Sequence, residues 1–275
     1  MSARRTLVLA ILLPGLALAD AVASLVASLA SDGSPKVRAQ AAISLASYPE
    51  DPATAPALVA AIADASPIVR GAVARSLGQV KAAGAFVALA TAARDRDAFV
   101  AKWAGWGARQ VAAWSGSVSI GLRGLAARGG PRQDELTKAS QEGVLERLLA
   151  EARFDVGSSV DFSDEVAGAD VARAGGASVH LELEGEVASV GGDELAATAT
   201  VSMRAVSASG FVVWTVKGSG SGTGKPPPPP GPDDDEYTIR APGVDARPLA
   251  VADAGRAAGS ALLDAMEAEK RSAAR

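Results

Sequence analysis

A heptapeptide returns along this chain at a nearly fixed interval, and that return leaves few folds open to it. Asp32-Gly33-Ser34-Pro35-Lys36-Val37-Arg38 is echoed 32 positions later by Asp64-Ala65-Ser66-Pro67-Ile68-Val69-Arg70. Beyond the arginine, Ala41, Ala42 and Leu45 align with Val73, Ala74 and Leu77. A weaker third copy opens 31 positions after Asp64, with Asp95-Arg96-Asp97-Ala98-Phe99-Val100, and Ala101 stands where the others carry arginine. A unit of this period cannot bury its apolar face alone, so successive copies must stack on one another.

The motif reads as the start of a helix. Ser34, Ser66 and Asp97 are N-cap residues, whose side-chain oxygens accept the free N–H groups of a first turn. Pro35 and Pro67 follow at the first helical position, where a missing N–H costs nothing. Val37, Ala41 and Leu45 share one face, as do Val69, Val73 and Leu77. Alanine-rich apolar segments precede each copy, at Ala21–Ala30, Ala53–Ala63 and Ala82–Ala93, with Pro49, Pro52 and Gly84 in the connectors. Residues 20–115 are therefore expected to form about three helical hairpins. On these residues the chain resembles the phycobilisome-lyase type of HEAT repeat, with its D-x-x-P-x-V-R core. The resemblance implies stacked hairpins and says little about activity; it carries over no catalytic residue.

Residues 1–19 read as an address. Arg4 and Arg5 precede an apolar run from Thr6 to Ala19, and Ala17-Leu18-Ala19 makes a small-residue exit. That is the pattern of a secretory signal peptide cleaved after Ala19, which places the mature chain in the periplasm or the medium. The run is short for a bilayer span and holds Pro14, so no stable membrane span is expected after cleavage. The chain has no cysteine, which excludes both disulfides and lipoprotein-type attachment. A net charge of −4 offers nucleic acid no electrostatic footing. Hydrophobic residues make up 48% but aromatics only 4%, so alanine and valine fill the interior and closely approaching backbones are expected.

The periodicity changes beyond Trp114. Val118, Ile120 and Leu122 alternate with polar or small residues as in a strand, and Asp134 to Ala152 reads as a helix with Val144, Leu145, Leu148, Leu149 and Ala152 inward. Phe154–Val156 is a second strand and Ser163 to Ala174 a weaker helix. Three strands follow at Val179–Val190, Leu195–Val206 and Phe211–Lys217, a last strand is expected at Tyr237–Arg240, and a helix closes the chain from Pro248 to about Arg271. Residues 116–275 thus form an α+β domain with a mainly antiparallel sheet. A Gly/Ser stretch, five prolines and Asp233–Glu236 make 218–236 a solvated, disordered loop. The order of elements, with Gly175-Gly176-Ala177 and Gly185 in Phe154 to Val187, resembles the amino-terminal domain of TolB and the CsgG and LpoB envelope proteins.

Candidate chemistry is sparse. Gly218 to Lys225 is similar to a phosphate-binding loop, but Ser219 and Pro226 occupy positions that need glycine and a hydroxyl residue. His180, the only histidine, shares a strand face with Glu182, Glu184 and Glu186; neighbours on that face lie about 7 Å apart, so the row reads as the wet side of a sheet and not as a metal site. Asp233–Glu236 lacks the spaced ligands of a calcium loop. No catalytic, cofactor-binding or metal residue is assigned. The residues expected to meet a partner are Lys36, Arg75, Lys102, Trp103 and Trp106, the two tryptophans serving more simply to seal the open end of the helical stack. The sequence thus reads as a non-enzymatic binding or scaffolding protein of the bacterial cell envelope, taking another envelope protein or a peptide and no nucleic acid. An exported carboxylate-dependent hydrolase is the alternative.

Overall fold

The computed structural model describes residues 20–128, 132–156, 179–229 and 243–273, in two compact units divided between Ser115 and Gly116. The leader at 1–19, the helix at 163–174, the strand at 237–240 and the acidic run 233–236 lie outside the described residues.

The first unit is three helical hairpins. Helix α1 (residues 20–31) is followed by α2 (Pro35–Leu45), α3 (Thr54–Ala61) by α4 (Pro67–Val80), and α5 (Phe86–Ala92) by α6 (Ala98–Trp114). The second helices α2, α4 and α6 pack side by side. Pro35 and Pro67 open their helices. Of the three expected side-chain caps only Asp97 caps, accepting the N–H groups of Phe99 and Val100. Ser34 and Ser66 hold the extended cap conformation without a side-chain bond.

The aspartate two residues earlier supplies the missing order. Asp32, Asp64 and Asp95 accept the N–H of Ser34, Ser66 and Asp97 at 2.8, 2.8 and 2.9 Å, which fixes each turn. The arginine of the motif then ties one turn to the next. Arg38 donates to Asp64 through Nε and an Nη at 2.8 and 2.9 Å, and to the carbonyl of Asp32 at 2.8 Å. Arg70 repeats the pattern on Asp95 at 2.8 and 3.1 Å and on the carbonyl of Asp64 at 2.9 Å. The guanidinium fork suits a carboxylate in two places at once, so the pair sets the register between repeats as well as attracting them. The ladder ends at Ala101.

Leu45, Leu58, Leu77, Leu89, Val69 and Val73 are fully buried between the hairpins, each contributing about 1.5–3 kcal/mol of hydrophobic stabilisation. Val37 departs from expectation: it is 43% exposed where its counterpart Val69 is buried.

The second unit is a five-stranded sheet in the order β2-β1-β3-β4-β5, with β1 (Val118–Ala127), β2 (Phe154–Val156), β3 (Val179–Gly192), β4 (Ala196–Val206) and β5 (Val212–Thr223). The pairs β3–β4 and β4–β5 are antiparallel and carry most of the register, so the sheet is mainly antiparallel. Strand β1 runs parallel to both its neighbours. Helix α7 (Gln133–Leu149) makes the crossover that a parallel β1–β2 pair requires. Gly124, at φ +66°, sits where the β1–β3 register shifts, a bulge residue that needs a left-handed backbone.

Helix α8 (Ala246–Ala273) packs along β5 and β4 and against α7. This contact corrects the expected loop at 218–236, because 218–223 is strand. A Cβ on Gly218 would lie 2.1 Å from the backbone N of Ala258, and one on Gly220 2.2 Å from that of Ala254. Alternating glycines on β5 thus meet Ala250, Ala254 and Ala258, all fully buried, and let helix and strand approach to backbone contact. The side of α8 against α7 repeats the device, with Gly143 beneath the carbonyl of Ala252 and Gly255 beneath that of Ser140. The buried face of α7 is consequently Ala139, Ser140, Gly143, Val144 and Leu148. Leu149 and Ala152, expected inward, are exposed, and Leu145 is half-buried. Where α8 begins, Asp245 accepts the N–H of Arg247 at 2.8 Å and pairs with the guanidinium groups of Arg247 and Arg132. The hydrogen bond from Arg247 leads in lowering its pKa to about 2.

Candidate partner-binding face

Helices α2, α4 and α6 contain no aspartate or glutamate. Their basic residues are Lys36, Arg38, Arg70, Arg75, Lys102 and Arg109. Arg38 and Arg70 are neutralised by the inter-repeat ladder. The hydrogen bonds of that ladder also hold Asp64 and Asp95 below the ordinary carboxylate pKa. Lys36, Arg75 and Lys102 are exposed, and among the described residues none of the three makes an ion pair.

On α6, Phe99, Trp103 and Trp106 recur at helical spacing and form one aromatic strip. Trp103 meets Phe99 edge to face at 6.5 Å and Trp106 at 5.8 Å, separations typical of favourable aromatic pairs. The strip is laid across α4, where glycines leave room for the rings. A Cβ on Gly71 would stand 2.1 Å from the ring of Phe99, and one on Gly78 2.6 Å from that of Trp106. The rings of Phe99 and Trp106 therefore pack back onto the preceding repeat. Both tryptophans are half-buried, and Phe99 is 48% exposed. Arg75 lies over the Trp103 ring at 4.8 Å and Lys102 at 5.7 Å, within cation–π range.

Four of the five residues singled out from sequence are thus brought together: Arg75, Lys102, Trp103 and Trp106. Lys36 stands elsewhere, lining a groove of about 290 Å³ with Leu25, Val37 and Ala41. Phe99 was missed, although its spacing of four from Trp103 signals a shared face. Trp114 is a separate feature, 44% exposed with the Lys81 ammonium 3.4 Å above its ring.

The outer face of the sheet in the second unit is differently built. Glu182, Glu184 and Glu186 are matched by Arg123, Arg204 and Arg128 at 3.4, 2.8 and 3.0 Å. A groove of about 370 Å³ runs over Glu184, Glu186 and the three arginines. His180 does not belong to the wet side: it is buried, with Nδ1 3.2 Å from Ser119 Oγ. Burial lowers its pKa, against the opposing pull of Glu182. In the register of the sheet Ser119 stands between Asp155 on β2 and His180 on β3. Ser119 is itself buried, at 5% exposure. Among the described residues no group of three or more acidic or histidine side chains is arranged to hold a metal ion, and no helix is long and apolar enough to cross a membrane.

Stacked helical hairpins with a recurrent Asp–Arg tie place the first unit among the α-helical repeat proteins. The family model for HEAT repeats matches residues 22–109, which span α1 through most of α6. None of the curated proteins compared with the chain matches it.

Proposed function

We propose that this is a non-enzymatic binding or scaffolding protein of the bacterial cell envelope that holds another envelope protein or a peptide on the face made by α4 and α6. The observation that carries the reading is the aromatic strip Phe99, Trp103 and Trp106, half open and flanked by the cations Arg75 and Lys102, which make no ion pair among the described residues. Aromatic and arginine side chains supply much of the energy at protein interfaces, and a helical-repeat stack offers them on rigid elements. HEAT repeats suggest protein–protein contact in general. The envelope address rests on the leader-like residues 1–19, which favour the periplasm or the medium, and on the resemblance of the second unit's element order to TolB, CsgG and LpoB. The glutamates of the sheet face, each held by an arginine, do not favour the hydrolase alternative.

The test is a photo-reactive amino acid placed at Lys102 and, for comparison, at Lys217, an exposed position on β5. Irradiation of living cells is expected to yield one discrete crosslinked species from position 102 and none from 217, identified by mass spectrometry as an envelope protein or peptide. Crosslinks from 217 alone would move the binding surface to the second unit and sink this reading.

A further inference from the structure

We infer that the ligand of this face is a linear acidic peptide segment with an apolar side chain beside its carboxylates, a conclusion that rests on the binding-protein reading above. The first support is charge. Arg75 and Lys102 both lie within 6 Å of the Trp103 ring centre, so two like charges stand beside one indole. Neither is met by a carboxylate among the described residues. On the sheet face of the second unit, by contrast, Arg123, Arg128 and Arg204 all have glutamate partners. In the ladder, Arg38 and Arg70 have aspartates. Arginines are matched at those positions, whereas at the aromatic strip two cations cluster unmatched among the described residues.

The second support is geometry. Carboxylates two residues apart on an extended peptide are roughly 7 Å apart, within reach of two cations that each lie within 6 Å of one ring centre. The third is apolar surface. Phe99 is 48% exposed next to the cations, and Ile43, which the repeat aligns with Arg75, is 44% exposed on α2. A bare anion such as phosphate would leave these side chains in water. An anionic membrane is disfavoured because the rings lie across α4, over Gly71 and Gly78, and do not project as a wedge that could enter a bilayer.

The experiment uses the full chain and three probes: a fluorescein-labelled peptide of Asp, Glu, Leu and Pro, its Asn/Gln isostere, and phosphatidylglycerol vesicles. Anisotropy is expected to show the acidic peptide bound, the isostere at least about tenfold weaker, and the affinity falling with added salt. The double variant Arg75→Gln/Lys102→Gln, whose exposed side chains leave the fold intact, is expected to weaken the acidic peptide about tenfold at an unchanged melting temperature. Equal binding of the isostere, indifference to the double variant, or binding to vesicles without binding to peptide would each overturn the inference. If the acidic peptide fails while position 102 still crosslinks one species, the binding reading stands and only the acidic specificity falls. If neither occurs, both fall.

Discussion

Replacing Arg70 by alanine removes four hydrogen bonds: two to the Asp95 carboxylate at 2.8 and 3.1 Å, and two to the carbonyls of Asp64 and Ala65 at 2.9 and 3.2 Å. The side chains of the pair are 21% and 17% exposed, between the surface case, where an ion pair contributes about 0–1 kcal/mol, and a buried charged hydrogen bond of about 1.5–3 kcal/mol. A loss of about 2 kcal/mol is expected for the first unit, equivalent to about thirtyfold in an opening equilibrium. Repeats lean on their nearest neighbours, so the loosening should spread from α4 into α6 and α2. Amide hydrogen exchange followed by mass spectrometry on the full chain reads this helix by helix, without requiring the two units to unfold together. Arg70→Lys should recover less than half, since an ammonium cannot engage both carboxylate oxygens as the fork does. The double-mutant cycle of Arg70→Ala with Asp95→Ala should return a coupling of about 1 kcal/mol. Ala101→Arg should add nothing, because no fourth copy of the motif follows to receive it. Unchanged protection in Arg70→Ala, or a coupling near zero, would refute the claim that the arginine ties one repeat to the next.

Gly220→Ala should destabilise the second unit by about 1–3 kcal/mol or prevent its folding, because the new Cβ meets α8 backbone at 2.2 Å; Gly33→Ala, with open space around it, is the control that should leave urea midpoints unmoved. Asp97→Ala should cost about 1 kcal/mol through its lost cap, whereas Ser66→Ala, which loses no side-chain cap bond, should change thermal stability by less than about 0.5 kcal/mol. Asp64, Asp95 and Asp245 all have depressed folded-state pKa values, with Asp245 at about 2. Their stabilisation is therefore complete above the ordinary carboxylate pKa of about 4 and is lost as pH falls through the depressed values. Circular dichroism melts should drop as pH goes from about 4 toward 2, and Asp95→Asn should flatten part of that drop.

Much of the helical half was legible because its signals are local. Pro35 and Pro67 mark helix starts by backbone chemistry alone, and the 32-residue offset between Asp32 and Asp64 states that the units stack. The tie between them was not legible, since Arg38 and Asp64 meet only after two helices have folded and packed. Ser34 and Ser66 looked like caps because their residue type and position were right; the aspartate two residues earlier satisfies the turn instead. In the second unit, alternation tells which residues share a face of β3 but not what covers that face, so it sets His180 with the glutamates of the wet side although His180 is buried. Gly218, Gly220 and Gly222 read as a linker because glycine carries no apolar signal. Only the alanines of α8 that lie against them explain why a side chain is forbidden there. The aromatic strip was partly visible: Trp103 and Trp106 announce themselves, while the match of Phe99 to Gly71 and of Trp106 to Gly78 depends on how α4 and α6 cross.

If this protein works by holding a partner on the α4–α6 face, disabling that face should abolish its role in the cell. The direct measurement is rescue of a deletion strain by two full-length variants, each checked for abundance and unchanged melting. Arg75→Glu/Lys102→Glu reverses the charge beside Trp103, and Glu184→Gln/Glu186→Gln neutralises the carboxylates of the sheet face. The first variant is expected to lose partner capture and to leave the cell phenotype unrestored, while the second captures the partner and restores the phenotype. A folded, abundant charge-reversal variant that rescues fully, beside a glutamate variant that does not, would contradict that expectation and turn attention to catalysis on the sheet.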